Sequence, residues 1–251
     1  FLDALNQLVG HHNLNWLPNT VPAHLRVVVS TLEGDCLDAL QRYRCQFLDI
    51  EPISHQDKND MVLETLRLHK KPTEEVELFR AALESEATSN PLYLVLFLEE
   101  LITHSSFESL EGDMTKYLSA TDVPSLLVML LDRLETTFNP TVTSRLGMTS
   151  LANSFPKAFA NGLVGTVLLF VFSSYEGMFE AELRDILGGG EEGVGDSQWI
   201  PLSYGLKHLL IERAGAMIFA HDYIRQAVQI RYIEHGKSVK MDVLVHAVLG
   251  K

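Results

Sequence analysis

Apolar and polar positions divide the chain into two parts that have different periods. In residues 1–53, short apolar runs rich in β-branched residues alternate with polar, turn-rich connections. In the run at 25–30 the apolar residues 27–29 are continuous rather than alternating, which is typical of a parallel strand covered on both faces by helices. Residues 47–50 predict a shorter neighbour, and Phe1-Leu2 predict the end of a third strand. We therefore expect residues 1–53 to be part of an α/β domain whose first part lies upstream of Phe1.

From Ser54 onwards the apolar period is that of a helix. Ser54 and Asp57 have the spacing of a helix cap and a first-turn acid. Helices are predicted at 57–70, 74–86, 91–103, 106–118 and 122–137. Apolar residues cover more than one face of the last of these, which indicates a buried helix. Residues 54–146 are predicted to form a helical domain.

A third region follows an irregular segment. Residues 147–162 combine Gly, Ser, Asn and Pro without a period, so they are predicted to be a linker or insertion. Helices are then expected near 164–173, 179–187 and 201–210, with an acidic glycine-rich loop at 188–196. The runs 211–213 and 217–220 predict a β-hairpin. Three helices and a hairpin follow winged-helix order, so residues 163–251 are predicted to be a winged-helix domain with C-terminal helices. The fold class is thus mainly α with a partial α/β portion.

The charge balance argues against nucleic acid as a partner of this winged helix. Twenty basic and 33 acidic residues give a formal charge of −13. No stretch collects lysine and arginine without acidic neighbours, whereas binding to a nucleic-acid backbone needs a positive surface. The helix at 201–210 has only Lys207 and His208 as basic groups. We expect it to contact protein rather than DNA or RNA.

Two further features bear on location. The longest apolar stretch, residues 163–172, is about half the roughly 20 residues that a membrane span requires, so it is predicted to be a buried helix. Cys36 and Cys45 do not make a disulfide framework and are expected to pack as small apolar groups in a reducing compartment. No secretory signal is visible, and a cytoplasmic location is expected.

Four candidate site residues lie in the α/β portion. An aspartate at the carboxyl end of a parallel strand can hold Mg²⁺ through water, and a polar group three residues later can orient an attacking water. Asp3 and Asn6 have these positions. Ser30 and Thr31 end the next predicted strand, where hydroxyl groups can contact a terminal phosphate. The alternatives are an ordinary helix-capping aspartate and a common strand end.

Two more candidates begin helices. Pro91 follows Ser89-Asn90 in a capped helix start, where a proline can press against an adenine ring. His221 precedes the last strong helix, and a histidine beside a helix N-terminus can donate to a β-phosphate. A plain helix start and a structural histidine are the commoner roles. No G-x-x-x-x-G-K-[ST] sequence and no zinc-ligand spacing occur. The only metal expected is nucleotide-bound Mg²⁺.

Taken in order, five segments resemble the NACHT-type STAND P-loop ATPases, particularly the nephrocystin-3-like branch. They are residues 3–8, 15–18, 26–32, 90–94 and 221–228. The resemblance implies that residues 1–53 are the C-terminal part of a P-loop NTPase domain whose Walker A half is missing. It assigns Asp3 as the Walker B acid, Pro91 as the adenine contact and His221 as the ADP β-phosphate contact. Ser30 and Thr31 are expected to sense the γ-phosphate, at a place where many such proteins have an arginine.

The resemblance implies a nucleotide-dependent molecular switch that controls protein–protein assembly, including self-association, in signalling or scaffolding. ATP or ADP with Mg²⁺ would bind only to the complete protein, which would be an ATPase only with an upstream P-loop. Asn6 stands where many such proteins have an acid. An amide cannot act as a general base, so slow hydrolysis or nucleotide sensing is expected. The alternative is a nucleotide-independent α-helical protein-interaction adaptor.

Overall fold

The chain forms two compact units, Phe1–Glu51 and Pro52–Lys251. A computed structural model describes residues 1–8, 10–72, 76, 79–104, 109–143, 162–174, 176–188 and 194–234. The linker or insertion expected at 147–162 lies outside these residues except for Gly162. The predicted domain limits at 53, 146 and 162 stay predictions.

The first unit is organised around one parallel β-bridge between Leu2 and Val29. Leu2 N–H donates to the Val28 carbonyl at 2.9 Å, and Ser30 N–H donates to the Leu2 carbonyl at 3.0 Å. A 3₁₀ turn at Leu5–Gln7 and the short helix α1 (Asp35–Leu40) follow. A small core closes the unit and consists of Leu5, Leu14, Cys36, Ala39 and Leu40.

The described part of this unit does not contain the parallel sheet that the sequence predicts. Residues 25–30 contribute only the bridge at Val29, and residues 47–50 form no strand. Their apolar side chains are exposed, 51% for Val28 and 82% for Leu48. The physical reason is that a parallel strand is held by hydrogen-bonded neighbours and covering helices, and within this unit Leu2 supplies a bridge of one residue pair. Cys36 is buried as expected, whereas Cys45 is exposed.

The second unit begins with five helices. They are α2 (His55–Leu68), α3 (Arg80–Glu84), α4 (Pro91–His104), α5 (Leu110–Leu118) and α6 (Val123–Thr143), with a 3₁₀ turn at Ala87–Ser89 before α4. Ser54 and Asp57 form the predicted cap as a reciprocal capping box. Asn90 Oδ1 accepts hydrogen bonds from the N–H groups of Leu92 and Tyr93, which caps α4. The predicted helix at 74–86 is reduced, among its described residues, to the short α3.

The remaining elements have the predicted order of three helices and a hairpin. They are α7 (Gly162–Ser173), β1 (Met178–Phe179), α8 (Glu180–Gly188), α9 (Asp196–Gly205), β2 (Leu210–Arg213), β3 (Ala216–Phe219), α10 (Asp222–Val228) and a π-helix at Gln229–Glu234. The three strands form an antiparallel sheet in the order β1-β3-β2. The sequence did not predict β1. The winged-helix assignment stays a prediction.

The start of α9 differs from the prediction by five residues. The sequence predicts this helix near 201–210, whereas α9 begins at Asp196 and contains Pro201 in its interior. A proline removes one backbone donor and disfavours helix on its N-terminal side without forbidding it. Trp199 and Leu202, on either side of Pro201, are almost fully buried and anchor the helix.

Helix α6 lies at the centre of the second unit and packs against α4, α7, α9 and α10. Arg231 in the π-helix pairs with Asp132 at 3.0 Å and Glu135 at 2.6 Å, so the end of the described chain is fixed to α6. The mostly apolar α7 is buried from residue 163 to 171, as predicted. Within the described ranges, every helix is too short or too polar to cross a membrane.

Candidate functional site

A polar group lies at the end of the Leu2–Val29 bridge. The Ser30 hydroxyl donates to Asp3 Oδ1 and accepts from Ala4 N–H at 2.8 Å. Ala4 has φ 63° and ψ 61°, a left-handed conformation that costs a non-glycine residue roughly 1–2 kcal/mol. The bonds to Ser30 therefore hold a strained turn directly after Asp3.

Asn6 and Thr31 continue this polar group. Leu32 N–H donates to Asn6 Oδ1 at 3.3 Å, which leaves the Asn6 amide NH₂ as a donor group. The Thr31 hydroxyl donates to the Leu32 carbonyl at 3.1 Å. The structure thus brings Asp3, Asn6 and Ser30 to one end of the bridge, with Thr31 beside them. Asp3 is exposed, and carboxylate and hydroxyl oxygens are ligands that suit Mg²⁺.

Pro91 and His221 lie in the second unit, each at the beginning of a helix. Pro91 is the first residue of α4 and is exposed. His221 is the exposed N-cap of α10, with extended backbone and no side-chain cap bond. Both side chains are accessible to a ligand, and their assigned contacts with adenine and phosphate stay predictions. Within the described ranges, no three His, Cys, Asp or Glu side chains are grouped so as to hold a metal ion.

The sequence did not predict an exposed apolar surface on α9. Ile200 is 60% exposed and Tyr204 is 67% exposed, whereas Trp199, Leu202 and Leu206 are buried. Ile200 and Tyr204 are four residues apart and share a helix face. Their position opposite Leu202 and Leu206 could have been found from that spacing, once Pro201 was allowed inside the helix.

A lysine completes this surface. Lys207 Nζ lies 4.4 Å from the centroid of the Tyr204 ring and donates to the Tyr204 hydroxyl at 3.3 Å. Burial, reinforced by the positive charge of Lys207, lowers the pKa of the adjacent His208, so His208 is neutral at pH 7. We call Ile200, Tyr204 and Lys207 the α9 surface. It combines two large apolar groups with one positive charge.

A second exposed apolar side chain, that of Phe179, lies where β1 joins α8. Phe179 is 52% exposed and is followed by the exposed acids Glu180 and Glu182. Arg184 pairs with Asp196 at 2.6 Å and donates to the Val194 carbonyl at 2.9 Å, which fixes α8 to the start of α9. We call Phe179, Glu180 and Glu182 the α8 surface. It combines one large apolar group with two acids that already have partners: Glu180 pairs with Arg184 at 3.5 Å, and the Glu182 carboxylate accepts a hydrogen bond from the Phe179 N–H at 2.9 Å.

Comparison with known proteins gives two distant relatives. The chain is 23% identical over its whole length to a TPR repeat-containing protein of Dictyostelium discoideum, and 24% identical over 95% of its length to nephrocystin-3 of Xenopus laevis. It spans 14% and 17% of the lengths of these two proteins. No protein-family model matches the chain. No solved structure shows significant similarity to it.

Proposed function

We propose that this chain is a helical protein-interaction module of a larger protein and that the α9 surface binds a protein partner. Both relatives are several times longer than the chain, and one is named for its TPR repeats. The helical second unit and its exposed apolar face support this function over a metabolic enzyme.

The observation that carries the proposal is the exposure of Ile200 and Tyr204 on a helix whose other side is buried. Single exposed apolar residues are ordinary, but Ile200 and Tyr204 are neighbours at i, i+4 on one helix face and are both more than half exposed. Tyrosine is enriched at protein interfaces because its ring buries a large apolar area while its hydroxyl keeps a polar partner. Here that partner is Lys207.

Affinity capture of the complete protein, quantified by mass spectrometry, tests this function. We expect the captured amount of at least one protein to fall about tenfold in the double variant Ile200→Ser/Tyr204→Ser. This change corresponds to about 1.4 kcal/mol of binding free energy. Leu68→Ser removes an equally exposed apolar side chain from α2 and should leave that protein unchanged. Identical capture by all three forms would contradict the proposal.

A second candidate function, the nucleotide-dependent switch, is favoured by the Asp3–Ser30 geometry. An exposed carboxylate beside a hydroxyl, on a strained turn at the end of a parallel bridge, suits a Mg²⁺-nucleotide site. In this function Asp3 would hold Mg²⁺ through water and Asn6 would orient water. Ser30 and Thr31 would contact the terminal phosphate, Pro91 the adenine and His221 the β-phosphate of ADP. The bound nucleotide would then set which protein surfaces are available.

Calorimetry of the complete protein with Mg²⁺-ADP tests this second function. We expect measurable binding that weakens about tenfold or more in Asp3→Asn, because the variant removes the charge that favours the metal. His221→Ala should weaken it as well. Asp49→Asn changes another exposed acid of the first unit and should have no effect. Absence of binding, or equal binding by the Asp3 and Asp49 variants, would contradict the nucleotide function. The adaptor function would then be the remaining candidate.

A further inference from the structure

Tyr204 differs from the other tyrosines in the described part of the chain by the state of its hydroxyl group. Four tyrosine hydroxyls donate their proton to a backbone carbonyl or a carboxylate, and they belong to Tyr43, Tyr93, Tyr117 and Tyr232. Tyr223 is half-buried, whereas Tyr204 is 67% exposed. The Tyr204 hydroxyl accepts a hydrogen bond from Lys207 Nζ, and no described group accepts its own proton. This hydroxyl is therefore accessible and free to react.

The place of Tyr204 in α9 also makes it accessible to an enzyme. Tyr204 is the penultimate residue of the helix, which ends at Gly205. Helix ends open more readily than helix interiors, so a second protein can reach this side chain together with the adjoining backbone. The position suits the transfer of a group to the hydroxyl oxygen.

Lys207 provides a partner for a negative group on that oxygen. Its ammonium lies 3.3 Å from the Tyr204 hydroxyl oxygen and 4.4 Å from the centroid of the ring. A phosphoryl group on this oxygen would carry a charge of about −1.5 to −2 at pH 7 and three strong acceptor oxygens. A hydrogen bond between an ammonium and such an oxygen is among the strong ones.

We propose that Tyr204 is a phosphorylation site and that its phosphorylation prevents protein binding by the α9 surface. The enzyme class required is a protein tyrosine kinase with Mg²⁺-ATP. The Tyr204 oxygen forms a bond to the γ-phosphorus, the bond from that phosphorus to the ADP oxygen breaks, and the hydroxyl proton passes to the base of the kinase. The effect on binding rests on the proposed protein-interaction function, whereas the modification itself does not.

Phosphorylation reverses the charge of the α9 surface. Lys207 contributes one positive charge, and a phosphotyrosine of about −1.5 to −2 changes the sum to about −0.5 to −1. A partner that covers Ile200 and Tyr204 beside a positive charge would then have to desolvate a phosphate at the centre of its contact. Buried charge without a matched partner is strongly unfavourable, so we expect such a partner to dissociate.

Phosphorylation of the 251-residue chain by the catalytic domain of a protein tyrosine kinase with Mg²⁺-ATP tests the site. We expect peptide mapping to show transfer to Tyr204 about tenfold or more faster than to any other described tyrosine. Tyr204→Phe keeps the aromatic ring and should abolish this transfer. Phosphorylation of other described tyrosines without Tyr204, or no transfer to Tyr204, would overturn the inference.

A phosphorus NMR titration of the product tests the role of Lys207. The ammonium should hold the second pKa of the phosphate below its usual value of about 6, because a nearby opposite charge favours the charged form. Lys207→Gln should raise this pKa. Lys116→Gln is the matched control, because Lys116 stacks on a different tyrosine, Tyr117, at 5.3 Å. Equal phosphate pKa values in the two variants would contradict the pairing with Lys207.

Affinity capture with the complete protein tests the effect on binding. After phosphorylation, the protein that Ile200→Ser/Tyr204→Ser loses should be captured about tenfold less, and phosphatase treatment should restore it. Tyr204→Phe treated with the same kinase should keep its capture. Capture that is insensitive to phosphorylation at Tyr204 would overturn the effect on binding, even where the double variant loses its partner. If the double variant loses no protein, the interaction function is wrong, and the transfer and titration still decide the site.

Discussion

Glu100→Gln is expected to lower the free energy of unfolding by about 3–5 kcal/mol, the usual loss when one partner of a buried ion pair is removed. Glu100 is 6% exposed, pairs with Arg133 of α6 and accepts a hydrogen bond from the Tyr117 hydroxyl at 3.0 Å. Burial and the negative charge of Glu100 raise the pKa of Tyr117, so Tyr117 stays neutral and donates. The Glu100 carboxylate joins α4 to Arg133 of α6 and to Tyr117 of α5. A neutral amide at position 100 would leave the positive charge of Arg133 without compensation.

Denaturant unfolding followed by the fluorescence of buried Trp199 measures this loss. Glu64→Gln is the matched control, because Glu64 and Arg67 form the same kind of pair at the surface, with side chains 53% and 69% exposed. Exposed pairs contribute little, so the control should leave the unfolding midpoint nearly unchanged. Equal midpoints for the two variants would mean that the Glu100 pair does not hold the three helices.

Gly177→Ala is expected to lower the free energy of unfolding by about 3 kcal/mol, because backbone strain and a steric collision act together. Gly177 has φ 89°, where an alanine is strained by roughly 1–2 kcal/mol. A Cβ there would lie 2.6 Å from the Met217 carbonyl oxygen and 2.5 Å from Ile218 Cγ2. Because Met217 belongs to β3, the new methyl would push β1 away from the sheet.

The same fluorescence measurement reports this second loss, with Gly112→Ala as control. Gly112 lies within α5, and a Cβ there would meet nothing within 4 Å. An alanine in an exposed helix interior is more favourable than glycine by roughly 0.5–1 kcal/mol, so Gly112→Ala should stabilise the chain slightly. A Gly177→Ala chain as stable as the wild type would contradict the close packing of β1 on β3.

Most of the helical second unit was predictable because local signals coincide with burial there. A few neighbouring residues determine each of its clearest features, which are the capping box of Ser54, the Asn90 cap and the apolar α7. The strands predicted at 25–30 and 47–50 failed because a parallel sheet depends on distant partners, which no local pattern supplies. In the π-helix at 229–234, Arg231 pairs with Asp132 and Glu135, about one hundred residues away, and no local pattern could indicate these partners.

The candidate sites were predictable to different degrees. The sequence predicts that Asp3 and Ser30 lie at one edge of a sheet. In the structure a hydrogen bond joins them, although a single bridge stands in place of the sheet. Their role toward a nucleotide stays a prediction. The α9 surface was missed because composition shows that a helix is apolar but not which face lacks a partner. The i, i+4 spacing would have indicated that face only if the helix had been predicted to extend through Pro201, and the burial of Trp199, Leu202 and Leu206 shows that Ile200 and Tyr204 face outwards.

The central claim, that the α9 surface binds protein, is tested most directly by site-specific photocrosslinking. A photoreactive phenylalanine analogue would replace Tyr204 in the complete protein, and Leu68 in a parallel sample. The account predicts a discrete protein adduct from position 204 and none from position 68. No adduct from position 204, or equal adducts from both positions, would contradict the claim.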